Sequence, residues 1–356
     1  MKTNIWINIS LLLLIKLLFV SCSTNITKQT PNEVVIFPSP PDPARIQYLT
    51  KFSSSLDITG KRSSLMDYVA GEEKGDPVIK PYGIKVHKGK IYICDTILRG
   101  LEIIDLENKS FRYFQPKGFG TIKKPINVEV DDKGNIFVAD SERREIIVFD
   151  NQLNFKTSFG NPDKLKPTDV FYYKNKLWVS NIATHQIEVY SAENYDHLYD
   201  IPEYDTEDEG FLNSPVNIFL QNDTLYVCDF GAAKVKLFTM DGTFIRSVGS
   251  YGRNLGQFVR PKGIAVDRDN LLYVVDAAFE NIQMFNSSGN LLMFFGGTYK
   301  GPGYMWLPAK VTIDYDNLEY FEQYVNERFD LKYLIFVTNQ YGPDKISVYG
   351  FIDKKK

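Results

Sequence analysis

Six prolines recur along this chain, and each opens a similar set of short apolar runs. Pro81, Pro125, Pro167, Pro215, Pro261 and Pro308 stand at steps of 44, 42, 48, 46 and 47 residues. The clearest copy, from Pro261 to Phe285, reads PKGIAVDRDNLLYVVDAAFENIQMF. Its runs are Ile264 to Val266, Leu271 to Val275 and Ile282 to Phe285, and Asp267, Arg268, Asp269 and Asn270 supply turn chemistry between the first two. Such a meander cannot cover its own faces, so copies must pack on one another. A period of about 40 to 50 residues with several strands in each belongs to propeller blades. Stacked helical repeats share the period, but their apolar residues recur every 3.6 positions, and these runs alternate by two.

The copies agree in detail. The second run ends on Asp95, Asp140, Asn181, Asp229, Asp276 and Asn339 in turn. In the first five copies a third run begins six residues later, at Leu101, Ile146, Ile187, Val235 and Ile282. The last copy ends at Phe351 and has no outer strand of its own, while the alternating stretch RIQYLTKF, Arg45 to Phe52, lies before the first copy and belongs to none. The two facts complete each other. The N-terminal strand is predicted to pair beside the last C-terminal one, closing a ring of six four-stranded blades and removing two free sheet edges. The fold class is therefore all-β, a six-bladed β-propeller closed by an N-terminal strand.

Lys2 and an apolar run from Ile5 to Val20, interrupted by Asn8, Ser10 and Lys16, read as a signal peptide over residues 1–21, too short and polar for a comfortable membrane span. Residues 22–44, with Pro31, Pro38, Pro40, Pro41 and Pro43, read as a disordered, extended linker. Residues 45–356 form the propeller. A net charge of -3 argues against a nucleic-acid binder, and 22 Tyr and 25 Phe favour strands.

The units resemble the NHL repeat, of the form P-x-G-I-x-V-D-x-x-G-x-I-Y-V-A-D-x-x-x-x-x-I-x-V-F with a closing strand ending on Phe-Gly. Pro125 to Asp150, PINVEVDDKGNIFVADSERREIIVFD, matches closely and closes on Phe159-Gly160. The resemblance spans about residues 79 to 351 and implies the propeller fold; it does not fix an activity. The stretch Leu17-Leu18-Phe19-Val20-Ser21-Cys22 resembles the lipobox of bacterial lipoproteins, which implies lipidation of Cys22 and a place in the bacterial cell envelope, anchored to a membrane.

Two sets of residues are candidates for a site. The six Asp/Asn residues closing the second strands are expected to accept backbone hydrogen bonds from neighbouring connections, because a functional site usually breaks symmetry. Symmetry breaks at the third residue of each unit: Gly83, Asn127, Asp169, Asn217, Gly263 and Lys310. Asn127, Asp169, Asn217 and Lys310 are expected near the axis at one channel mouth. Lactonase-type propellers are similar in general plan and hold a divalent metal there. One Asp with two amides is a thin ligand set for calcium, and Lys310 opposes a cation. His87, His185 and His197 are not expected to converge on a zinc. Cys94 and Cys228 fall in opposed blades and are expected to be buried free thiols. The acidic stretch Glu203 to Glu209 and an insertion in the sixth unit, with Leu318, Phe321, Val325 and Phe329 at helical spacing, are surface features. The insertion is expected to pack on the underside.

The expected function is a non-catalytic binding or assembly scaffold in the cell envelope, with a protein, peptide or glycan partner and no required cofactor. The alternative is a metal-dependent, lactonase-like or lyase-like enzyme at the channel mouth.

Overall fold

In the computed structural model, which describes residues 34–60 and 74–355, six antiparallel sheets stand around an axis. Blade 1 consists of Pro81–His87, Lys90–Asp95, Gly100–Asp105 and Ser110–Phe114. Blade 2 consists of Pro125–Val130, Ile136–Asp140, Glu145–Phe149 and Phe155–Phe159. Blade 3 is Pro167–Tyr173, Lys176–Asn181, Gln186–Ser191 and His197–Ile201. Blade 4 is Pro215–Gln221, Thr224–Asp229, Lys234–Thr239 and Phe244–Val248. Blade 5 is Pro261–Val266, Leu272–Asp276, Asn281–Phe285 and Leu291–Gly296. Every blade opens on its proline. Proline cannot donate to a ladder, so the first position of a strand is one of the few places it fits.

Blade 6 is assembled from both ends of the chain. Pro308–Asp314, Phe329–Asn339 and Ile346–Lys354 are followed in space by Ile46–Phe52, which pairs antiparallel with the last of them from Ile46 opposite Phe351 to Phe52 opposite Ile346. A fifth, two-residue strand, Ile36–Phe37, pairs with Ile46 and Gln47. This corrects the expected boundary. Residues 34–44 are not wholly linker, and the compact unit starts at Val35 rather than at residue 45. Phe37 is buried against Phe295 and Tyr304, which is what orders this piece of a proline-rich stretch.

The hydrophobic core is divided into six parts, one at each blade-to-blade interface. Val128, Ile136 and Val138 of blade 2 meet Cys94, Leu101 and Ile103 of blade 1. The same pattern joins blades 2 and 3, 3 and 4, and 4 and 5. Ile46 and Phe37 complete the interface between blades 5 and 6, and Leu49 and Phe52 that between 6 and 1. The closing strand thus contributes to two cores.

The insertion of blade 6 is not one helix. It makes two single 3-10 turns, Leu318–Tyr320 and Glu322–Tyr324, broken at Phe321, whose φ is -117°. Phe329 already belongs to the next strand. Phe321 is buried against Phe52 and Phe336, and Asn317 Oδ1 accepts from the Gly89 amide in the lower turn of blade 1, so the insertion packs on the underside and sends Phe321 between blades 6 and 1. The Gln47 side chain clamps its end, donating to the Tyr324 carbonyl and accepting from the Asn326 amide.

Deleting Arg45 through Phe52 is expected to abolish cooperative unfolding, and Ile46→Ala to cost about 2–5 kcal/mol, the range for emptying a buried aliphatic site. Denaturant unfolding of both variants checks this. Cys94 and Cys228 are buried free thiols in blades 1 and 4, and burial pushes both thiols well up. A thiol reagent is expected to leave both unmodified in the native protein and to label both after denaturation.

Candidate functional site

First strands begin, and second strands end, on one side of the ring, here the upper face. At the end of each second strand the Asp or Asn side chain is almost fully buried. Asp140 accepts from the amides of Lys123 and Lys124, which enter the blade, and from Glu142 and Arg143 in the following turn. Asp276 does the same for Val259, Arg260, Ala278 and Phe279. Asp95 accepts from Lys80, Ile97 and Leu98, and Asp229 from Asn213, Ser214 and Ala232. Asn181 accepts from Lys166 and Ala183. Asn339 accepts from Trp306 and donates to the Asp344 carbonyl and Ser347 Oγ. Each residue ties the incoming connection to its own blade. These atoms are fully engaged in the fold.

At the third positions, Asn127, Asp169 and Asn217 are about 2% exposed or less, and each reaches to the first strand of the next blade. Asn127 donates to the Thr168 carbonyl at 3.0 Å. Asp169 Oδ2 accepts from Asn217 Nδ2 and from the Ile218 amide. Asn217 Oδ1 accepts from the Ile264 amide at 2.7 Å. Glycine takes the remaining ring positions because space runs out. A Cβ on Gly83 would lie 2.4 Å from Asn127 Oδ1, and one on Gly263 would lie 2.6 Å from the Ala309 carbonyl. Lys310 crosses the axis from blade 6 to blade 3 and places Nζ 3.4 Å from Asp169 Oδ2.

Asn217, Asp169 and Lys310 therefore form one hydrogen-bonded constellation, with Asn127 beside it on the Thr168 carbonyl. The set does not fit a divalent cation. Its one carboxylate already faces the Lys310 ammonium and two N–H donors, where a calcium ion needs six to eight oxygens. Among the described residues no three His, Cys, Asp or Glu side chains gather as a metal site. The three histidines lie apart. His87 ends the first strand of blade 1, His185 bonds the Asn213 carbonyl on the upper face, and His197 pairs with Asp200 on an outer strand.

Tyr82, partly buried, follows the opening proline of blade 1 on the upper face. Its phenol is pushed up to about 12, chiefly by burial and then by Cys228. Lys262 Nζ stands 5.2 Å from the Tyr82 ring. Burial, and after it the neighbouring charges of Arg260 and Lys80, lower the Lys262 ammonium to about 8. Residues preceding the blade-opening proline are cations in four blades: Lys80, Lys124, Lys166 and Arg260.

Beside these cations lies an exposed aromatic surface. Trp306 is 49% exposed and stacks on Tyr299 at 6.3 Å and 28°. Tyr341 is 47% exposed, its amide reaches the Trp306 carbonyl, and Lys80 Nζ lies 5.0 Å over its ring. Sequence reasoning missed this surface. The signal was present two positions before each proline, where Ile79, Lys123, Leu165, Asn213 and Val259 stand and the sixth copy has Trp306. Glu203 to Glu209 lies on the same upper face, between blades 3 and 4 and across the ring from blade 6, where Glu203, Asp205 and Asp208 line a cavity of about 430 Å³ with His185 and Phe211.

Residues 171–356 match the family DUF5128, described as a 6-bladed beta-propeller. No curated protein matches the chain by sequence. Among solved structures, a streptogramin B lyase is similar at a TM-score of 0.53 and 16% identity, over 86% of this chain and 87% of that one. A catalytically inactive virginiamycin B lyase from Staphylococcus aureus with quinupristin is similar at 0.52 and 16% identity, over 76% and 94%. A protein of unknown function from Bacteroides thetaiotaomicron VPI-5482 reaches 0.56 at 13% identity, over 87% and 76%. At such identities the likeness is one of fold.

Asp169 supplies a pH test of the ring. Burial pushes its carboxyl up to about 6, against the opposing pull of Lys310. A raised acid binds its proton more tightly in the folded chain than in the unfolded one, so its contribution is present below about pH 4 and is lost as pH rises through about 6. Stability of the wild type relative to Asp169→Asn is expected to fall across that window, by at most about 3 kcal/mol, and to stay level above it. Urea titrations of both proteins at half-unit pH steps measure the difference.

Proposed function

The chain belongs to the DUF5128 family of six-bladed β-propellers, and we propose that it is a non-catalytic binding scaffold of the bacterial cell envelope, built from NHL-type repeats and held to a membrane through a lipid on Cys22. Cys22 and the leader before it lie outside the described residues, and the anchor rests on the lipobox-like sequence. The partner is met on the upper face.

The observation that carries this reading is the division of labour on that face. On the axis, where a propeller enzyme would place its chemistry, Asp169, Asn217 and Lys310 are bonded to one another. The groups left open around the rim include aromatic rings and cations near blade 6, which hold a ligand without transforming it, and the acids of Glu203 to Glu209 across the ring. Aromatic residues and arginine are the side chains that dominate binding surfaces elsewhere.

Full-length protein, solubilised in mild detergent from its native membranes, is expected to retain an envelope component in near-stoichiometric amount. Arg260→Glu on the upper face is expected to release that component, and Arg328→Glu on the lower face to leave it in place. Release by Arg328→Glu alone, or a wild-type protein that retains nothing, would overturn the proposal.

A further inference from the structure

We propose that the rim of blade 6 is a platform for an acidic saccharide, with a sugar ring lying on Trp306 and Tyr341 and its carboxylate or sulfate held by Lys262 and Arg260. This rests on the binding reading above and names its ligand class.

The contacts form one continuous patch. Tyr299 backs Trp306. Trp306 and Tyr341 share a backbone hydrogen bond, Lys80 caps the Tyr341 ring, and Lys80 and Arg260 both act on Lys262. A flat ring about half exposed, with its other side supported by a second ring, is preorganised to take the C–H face of a sugar. Little side-chain entropy remains to be lost there on binding. Lys262 supplies the charge. Its ammonium is half-buried, and the charges named as acting on it are both positive, so an incoming anion relieves repulsion as well as forming charge-assisted hydrogen bonds.

A second, independent feature lies in the same part of blade 6. Gln340 and Asp344 flank the turn that carries Tyr341. They are 6% and 5% exposed, and Gln340 Nε2 and Asp344 Oδ2 have no hydrogen-bond partner among the described residues. Asp344 lies close enough to Tyr299 to raise its phenol. Buried polar atoms are ordinarily satisfied, so the turn that carries Tyr341 holds one unmet donor and one unmet acceptor.

Strand addition, one way of holding an extended peptide, is closed on this face, because the first strand of every blade is paired on one side and faces the channel on the other. Titration with polyglutamate separates charge alone from a sugar ring.

Calorimetric titration of the full-length protein at pH 7 with oligogalacturonate, a sulfated heparin oligosaccharide, a neutral cello-oligosaccharide and polyglutamate tests the proposal. At least one of the two acidic saccharides is expected to bind, and which one binds tells carboxylate from sulfate. Trp306→Ala and Lys262→Met are each expected to weaken it by about tenfold or more, equivalent to about 1.4 kcal/mol. Added salt is expected to weaken binding to the wild type more than to Lys262→Met. Arg328→Gln, on the lower face, is expected to bind as the wild type does, and thermal melts confirm that each variant is folded. Equal affinity for the neutral sugar or for polyglutamate, an unchanged affinity in Trp306→Ala, or no binding of either acidic saccharide overturns the proposal. If the component retained from membranes is still bound when the saccharides fail, the ligand class falls and the scaffold reading stands.

Discussion

Ring closure is the constraint on which this structure depends. Each sheet has two apolar faces and no means of covering either, so every core lies between blades and none within one. An arc of five and a half blades would leave two such faces open together with two sheet edges. The strand Ile46–Phe52 removes all of these at once, by backbone pairing with Ile346–Lys354 and by placing Ile46 in one core and Leu49 and Phe52 in the next. The pairing joins residues about 300 apart in sequence. Its loop-closure entropy is lost before its contacts form, which makes it a late and slow event in folding. The insertion of blade 6 depends on it directly, since Gln47 and Phe52 hold both the end and the middle of that segment.

Tight closure also decides what the axis is free to do. The first strands approach so closely that two of the six third positions accept only glycine, and the other four must bond to one another or to neighbouring backbone. The Lys310–Asp169 pair spans the channel between opposite blades. Burying two charges is costly even when they are paired, so the pair is weak evidence for stability and better evidence for register, since it forms only when blades 3 and 6 are correctly opposed. A polar ring that looks in sequence like a binding site is, in space, a fastening.

What could be read from the chain and what could not divide along the same line. Blade number, strand order, the roles of Asp95, Asp140, Asp229 and Asp276, and the N-terminal closure all follow from repetition, because an element needed six times is written six times. Features that occur once had no such support. Ile36–Phe37 is ordered by Ile46, Gln47 and Phe295, partners remote in sequence, and its proline-rich neighbourhood argues locally for an extended chain. The spacing of Leu318, Phe321 and Val325 matches a helix, yet Phe321 is drawn into the cleft between two blades, and at its backbone dihedrals the helical path breaks. The rim surface joins Lys80, Lys262, Trp306 and Tyr341 from three blades, so no window of sequence contains it. It shows only as departures from the repeat, read column by column.

Those departures concentrate in blade 6, and for a physical reason. In the other five blades four residues link the second strand to the third, and the aspartate or asparagine at its start holds that short turn through one or two of its backbone amides. Blade 6 has six residues there, Gln340 to Lys345. A longer turn presents a carbonyl where a short one presents an amide, and Asn339 meets it with its Nδ2, donating to Asp344, where a carboxylate has no proton to give. The same two extra residues lift Tyr341 beside Trp306 and leave the side chains of Gln340 and Asp344 buried without partners. A blade assembled from both chain ends has no single repeat to obey. It is accordingly the place in a six-fold frame where a turn can lengthen, and a surface can specialise, without disturbing the five copies that keep the ring closed.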